Sequence, residues 1–407
     1  MGLLLSSLAG CKFPYPPDIP DDDVGVSDAS RDGTGDEPTD ARVRAHPLVA
    51  DHQAADIVIG QPDFTSRGNR PFGPQFVSGG RLSGNADRLW LSDYGMTRVL
   101  LYRPFPVSND PVPAMALGHP NFTDYLPGQS PASSFSFNAG VVDTGQRLLV
   151  VDHDLRRVLI WNAIPSTGTE PASLVLGQAA FDSIVPGNGA SQLAEPTALW
   201  SDGVRVVVAD TENNRVLIWR TFPTQNGQPA DVVLGQVGFG HGESPASPTA
   251  SSMKLPGAVT SDGTRLAIAD VGHGRVLVWN QFPDTNNAPA NLAIGQRDLN
   301  SAVLTQPGDP HGFATIAGLA LVDGAIFVGD TGNARVLVFD PVPSQSIADV
   351  SRAQQALGQP NPTVVNLNQS PTERSLRNPD GLALVNGFLF VGDGGNNRAL
   401  RYRLDLD

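Results

Sequence analysis

From residue 55 to residue 403 the chain alternates short apolar runs with polar turns rich in Gly, Asn, Asp and Pro. The stretch from Glu195 to Gln236 holds one full cycle: "PTALW", a turn "SDG", "VRVVVAD", a hairpin "TENN", "RVLIW", a Pro-containing link and "DVVLGQ". Runs of this length bounded by turn formers predict β-strands rather than helices. Within "RVLIW" both alternating sets, Val216 with Ile218 and Leu217 with Trp219, are apolar. A sheet wetted on one face would alternate apolar with polar residues, so these strands are expected to be covered on both faces. Four-stranded sheets stacked face to face around an axis achieve this, which predicts an all-β propeller.

Six copies of one block carry the count. "DYGMTRVLLY" begins at Asp93, "DHDLRRVLIW" at Asp152, "DTENNRVLIW" at Asp210, "DVGHGRVLVW" at Asp270, "DTGNARVLVF" at Asp330 and "DGGNNRALRY" at Asp393. The arginines recur at intervals of 59, 58, 60, 60 and 63 residues, and a near-fixed period defines a repeat array. Six outer strands ending in Gly-Gln or Gly-His match six hairpins, but the first, "DIVIGQ" (Asp56–Gln61), precedes any hairpin and none follows Arg398. The expected fold is a six-bladed β-propeller of four-stranded blades, closed by an N-terminal outer strand that joins the C-terminal blade and leaves no free sheet edge.

The pairs Asp93/Arg98, Asp152/Arg157, Asp210/Arg215, Asp270/Arg275, Asp330/Arg335 and Asp393/Arg398 read as scaffold. Each Asp is expected to accept turn N–H groups, and each Arg to pair with it across the hairpin mouth. A catalytic site needs different groups from different blades, whereas a feature present six times answers a need of every blade. The Gly-Gln strands and the Phe that follows several of them (Phe64, Phe122, Phe181, Phe239) read the same way, as packing.

Candidate ligand-binding residues are therefore those that break the repeat: Tyr94, His153, Asp154, Glu212 and His273 at the hairpin tips, with Asn138 and Asp380 at the entrances of inner strands. His153, Glu212 and His273 sit on consecutive repeats, the arrangement of a metal triad, yet turn positions accept any polar residue and no metal is assigned. The links Pro62–Gln75, Pro120–Asn138, Ala179–Glu195, Val237–Leu255, Arg297–Thr315 and Pro360–Asn378 are long and polar with few charges. On a propeller they share a face with the tips, which suits a binding surface.

The blocks "LGQxxF…P.GlalvdG.lfVgDtgNaRVLvf" resemble NHL repeats, particularly the long-period kind of bacterial exported proteins, over roughly residues 55–403. The resemblance implies six blades and little about activity, because this fold hosts enzymes and binding modules alike. Propeller hydrolases and lyases of the gluconolactonase type hold ligands at the inner-strand entrances, where this chain is expected to place Asn138, Thr197, Gly257, Ala317 and Asp380. That set is too poor in ligands for a metal cage. Amidating lyases of the same fold use several histidines, of which this chain has 7, two of them (His46, His52) before the ring.

Composition places the ring in a compartment. The 41 acidic against 27 basic residues leave a net charge of −14, the opposite of a nucleic-acid footprint. The single cysteine excludes an intrachain disulfide. Its context, "LAGC" ending at Cys11, resembles the lipobox of bacterial lipoproteins, in which the cysteine is lipidated. No Lys or Arg precedes the apolar run, as a signal peptide would require, which suggests a true start further upstream. The segment that follows is Pro- and Asp-rich and too poor in aliphatics to form a core, and "DDDVGVSDASRDGTGD" lacks calcium-loop spacing. The expected organisation is a signal segment over 1–11, an acidic tether over 12–50 and the propeller over 51–407. The expected function is that of a monomeric, exported scaffold, lipid-anchored through Cys11 to the bacterial outer membrane or cell surface, binding a protein or glycan without a cofactor. The alternative is a propeller hydrolase or lyase with its site at the channel mouth, using Asp380, Asn138 and a tip histidine.

Overall fold

The computed structural model describes residues 47–68, 73–75, 77–124 and 132–406. Their strands form six four-stranded antiparallel sheets, and the inner strands touch in cyclic order, the first against the last, giving the six-bladed propeller. Blade 1 runs from Leu82–Gly84 to Met115–Leu117, blade 2 from Asn138–Asp143 to Leu174–Leu176 and blade 3 from Pro196–Ser201 to Val232–Leu234. Blade 4 runs from Pro256–Ser261 to Leu292–Ile294 and blade 5 from Ile316–Val322 to Gln355–Leu357. Blade 6 is composite: Pro379–Val385, Phe388–Asp393 and Arg398–Arg403 are completed by Ile57–Ile59, in register Ile57 to Arg401 and Ile59 to Ala399. The lipobox cysteine and most of the tether lie outside the described residues.

The strands are buried on both faces because each blade packs on its neighbours. One cluster joins Ala198, Val207 and Ile218 of blade 3 to Val259, Ile268 and Leu277 of blade 4. A fully buried Val, Leu or Ile contributes about 1.5–3 kcal/mol. Outer strands are shorter than the apolar runs suggested. In blade 3 only Val232–Leu234 pair, since Gly235 turns to φ +88° and carries the next residue out of the sheet. That residue, the recurrent Gln, clasps the link: in Gln178, Gln296 and Gln359 the amide bonds both N–H and C=O of the residue seven positions on. His119 fills the position once, with Nε2 3.1 Å from the Thr97 carbonyl oxygen.

The Asp–Arg pairs form a ring of buried clamps. From Nε, Arg98, Arg157, Arg215, Arg275, Arg335 and Arg398 donate to Oδ2 of Asp93, Asp152, Asp210, Asp270, Asp330 and Asp393 in turn, at 2.7–2.9 Å. All twelve side chains are fully buried, so none of them is open to a ligand.

Two parts of the expected clamp need correction. The second carboxylate oxygen does not hold the turn. It accepts the backbone N–H of the link entering the blade, from Ser78, Ser136, Ala194, Lys254, Ala314 and Arg377. The turn closes on itself through a left-handed residue, taken without Gly or Asn by Thr97, Arg156 and Ala334 (φ 50°, 53° and 54°). Nor do the arginines merely bridge their own hairpin mouths, because Nη1 and Nη2 extend past the paired Asp to link carbonyls. Arg157 donates to Phe181 at 2.6 Å and to Ser134 at 3.1 Å. Arg335 donates to Pro362 at 2.7 Å, Pro310 at 3.0 Å and Gly312 at 3.2 Å. Arg275 reaches Leu299, Thr249 and Ser252 in the same way. Burial gives the physical reason, since each buried guanidinium hydrogen needs an acceptor and one carboxylate cannot supply them all. Each clamp thus ties a hairpin to the links on either side of it.

Blade edges are also sealed. The outer-strand N–H groups of Val58, Val175 and Val233 donate to the side chains of Asn109, Asn226 and Asn286 from the next blade. Ser346 and Asp51 do the same for Ala293 and Ala356. Leu48 and Val49, assigned to the tether by composition, are buried in the core between blades 5 and 6.

Candidate functional site

The residue after each clamp Asp forms a ring at the channel mouth: Tyr94, His153, Thr211, Val271, Thr331 and Gly394. In blades 3 and 5 this residue is a brace, Thr211 donating to the Pro256 carbonyl at 2.8 Å and Thr331 to that of Pro379 at 2.6 Å. Blade 4 carries the apolar Val271 there, and blades 6, 1 and 2 depart from the pattern with Gly394, Tyr94 and His153. Tyr94 of blade 1 reaches back to blade 6 and donates its hydroxyl to Asp380 Oδ2 at 2.9 Å. Gly79 and Gly394 make the room: a Cβ on either would come within 3.1 Å of the Tyr94 hydroxyl.

One layer below, the first residue paired after the inner-strand bulge is Gly140, Ala198, Ala258, Gly318 or Gly381 in blades 2–6. Blade 1 carries Arg81 there, its carbonyl accepting the Ser92 N–H at 2.8 Å. With small neighbours around the ring, the arginine crosses the channel and donates from Nη2 to the Gly257 carbonyl of blade 4 at 2.7 Å. The approach is also altered. The clamp N–H precedes its Asp by 15 residues in blade 1 and 16 in the other five. Gly80 at φ +143° takes up the shortened path, where a Cβ would lie 1.6 Å from the Ser92 carbonyl oxygen.

Electrostatics single out the same sector. Asp380 is 8% exposed, and burial pushes its carboxyl up to about 7 against the opposing pull of the Tyr94 hydroxyl and Arg81. Its Oδ1 is sealed against Gly392, while Oδ2 faces Tyr94. The Asp380 charge, with burial, pushes the Tyr94 phenol well up. Burial lowers the Arg81 guanidinium to about 10, still charged at neutral pH. Among the described residues Arg81 makes no ion pair, and the Nη2 contact is the only hydrogen bond of its side chain.

A row of half-buried rings leads from this point into blade 2, Tyr94 to Phe137 at 5.6 Å between centroids and Phe137 to His153 at 5.4 Å. His153 Nδ1 lies 2.9 Å from Asp154 Oδ1, a contact that holds the Asp154 carboxyl down. His153 Nε2 and Arg156 approach Glu195 at 4.0 and 3.9 Å.

The structure thus gathers Tyr94, His153, Asp154 and Asp380 in one sector and separates the other candidates from it. His273 is buried on Asp270 (2.9 Å), in the place where Asn213, Asn333 and Asn396 bond their own clamp Asp. Glu212 is exposed at the tip of blade 3, so the His153, Glu212 and His273 side chains do not converge. Asn138 is not at the channel entrance: the bulged residue of its strand is Ala139, and Asn138 is fully buried, donating to Ser92 Oγ and the Arg98 carbonyl of blade 1. Arg81 and Phe137 escaped the sequence reading. Arg81 had a signal, as the one large residue where the period supplies Gly or Ala.

No family model matches the chain, and no curated protein matches its sequence. Among solved structures, an auxiliary nutrient binding protein from Bacteroides thetaiotaomicron VPI-5482 is similar over 81% of this chain and 71% of that one, at a TM-score of 0.46 and 11% identity.

Proposed function

We propose that this chain is an NHL-type propeller acting as an exported binding module, held at the cell envelope by a lipid on Cys11 and presented on the tether that follows. Its ligand, a protein or a glycan, meets the face formed by the hairpin tips and long links. The observation that carries this reading is the sector around Arg81, Tyr94 and Asp380. Blades 3 to 5 spend the equivalent positions on small, apolar or bracing residues, whereas here polar and aromatic groups face the channel mouth. Convergent polar groups beside an apolar surface are what a recognition site needs.

Two measurements test it. In cells of the source organism, Cys11→Ser should move the protein from the membrane to the soluble fraction. Unchanged membrane retention would remove the anchor from the proposal. The full chain, used as bait in an envelope extract, should retain a protein or glycan that the Arg81→Ala/Tyr94→Phe variant loses. A second reading, a hydrolase or lyase, has one observation in its favour: an acid near 7 bonded to Tyr94 suits proton transfer at neutral pH. It requires a turnover that Asp380→Asn abolishes.

A further inference from the structure

We infer that the row from Arg81 and Asp380 through Tyr94 and Phe137 to His153 is a binding site for a neutral oligosaccharide, one per chain. This rests on the binding-module reading above and gives it a ligand class. Three half-buried rings in sequence, spaced 5.6 and 5.4 Å, offer the apolar surface on which the C–H face of a sugar packs. Polar groups of both kinds flank them. At the channel end Arg81 has Nε and Nη1 hydrogens without a partner among the described residues, beside the Asp380–Tyr94 pair. At the far end stand Asp154 and Glu195.

A hydroxyl both donates and accepts, so a polyol can satisfy guanidinium and carboxylates together. A purely apolar ligand would desolvate these charged groups without offering them a hydrogen bond. The net charge of −14, with Asp154 and Glu195 in the row itself, disfavours a polyanion such as an acidic glycan. Blades 3 to 5 cannot duplicate the site, because Thr211 and Thr331 are committed to bracing and Val271 offers no polar group.

The test is calorimetric titration of the full chain in detergent with neutral hexasaccharides of glucose, mannose, galactose or N-acetylglucosamine, and with hexagalacturonate as the acidic comparison. One neutral sugar should bind 1:1 with a Kd in the micromolar to millimolar range, and hexagalacturonate more weakly. Arg81→Ala and Phe137→Ala should each weaken binding by about tenfold or more, which is about 1.4 kcal/mol. Arg81→Ala installs the residue that blades 3 and 4 already carry, so it should fold. Phe137→Leu keeps most of the volume if Phe137→Ala melts early. Absence of any neutral-sugar binding, unchanged affinity in both variants, or tighter binding of the acidic sugar would each overturn the inference. If the bait experiment still retains a protein, the binding-module reading survives and only the glycan assignment falls. If neither succeeds, both fall.

Discussion

At the scale of single residues, the chain separates repeated from unrepeated polar groups by what each touches. In the Asp210–Arg215 clamp, burial opposes the carboxylate charge, and Arg215, Asn213 and the Ala194 N–H offset it. Removing one partner strands the other, so Arg215→Ala should cost about 3–5 kcal/mol in urea unfolding, as expected for a broken buried pair. Arg157→Ala and Arg335→Ala should cost a similar amount, since their carboxylates are equally buried and their link carbonyls equally dependent on them. His273, by contrast, does the work of an Asn. His273→Asn should leave stability within about 0.5 kcal/mol and leave ligand binding unchanged. Asp380 gives a signed pH prediction. Its carboxyl ionises near 7 in the fold against 3.8 in the unfolded chain. Between those values the fold keeps a proton that the unfolded chain has lost, so this stabilisation is complete below the lower value and lost as pH rises through about 7. The total is a few kcal/mol at most, and urea midpoints from about pH 5 to 8 should fall more steeply for the wild type than for Asp380→Asn. Equal slopes would place the ionisation elsewhere.

At the scale of elements, strand and hairpin were legible because their causes are local. Apolar runs bounded by turn formers, and a tip that tolerates left-handed backbone, recur every period. The misreadings of position came from one-residue shifts. Asn138 is read as the counterpart of Asp380, but the bulged residue of blade 2 is Ala139, and Asn138 takes the place of Pro379. The outer strands ended early for a similar reason, the positive φ of the Gly that follows them. The reach of Arg157 and Arg335 has another cause: the carbonyls they bind lie 23 to 27 residues away, and a backbone acceptor needs no particular side chain in the link that supplies it. The element that closes the ring can be tested directly. Deleting residues 1–61 removes Ile57–Ile59 and leaves the edge of Arg398–Arg403 unpaired. The truncated chain should unfold at lower temperature and self-associate through that edge. A monomer with unchanged melting would mean that closure does not stabilise the ring.

At the scale of the whole molecule, repetition and its interruption have different origins. The amino-acid sequence by itself determined the six blades, the composite closure and the pairing of Asp with Arg, because each is a local pattern copied at a near-constant interval and needed by every copy. It also marked Tyr94, His153, Asp154 and Asp380 as departures from the pattern. Which departures share a site was decided only by the tertiary structure. Arg81 lies 176 residues from Gly257 in sequence, and Tyr94 lies 286 from Asp380. Those meetings depend on the curvature of the closed ring, on a link shortened by one residue before blade 1 and on glycines that leave space for the side chains. The same packing withdrew His273 into a clamp and Asn138 into a strut between blades. No one-dimensional period records these meetings, since a period describes what every blade has in common and the site is made of what three neighbouring blades do differently.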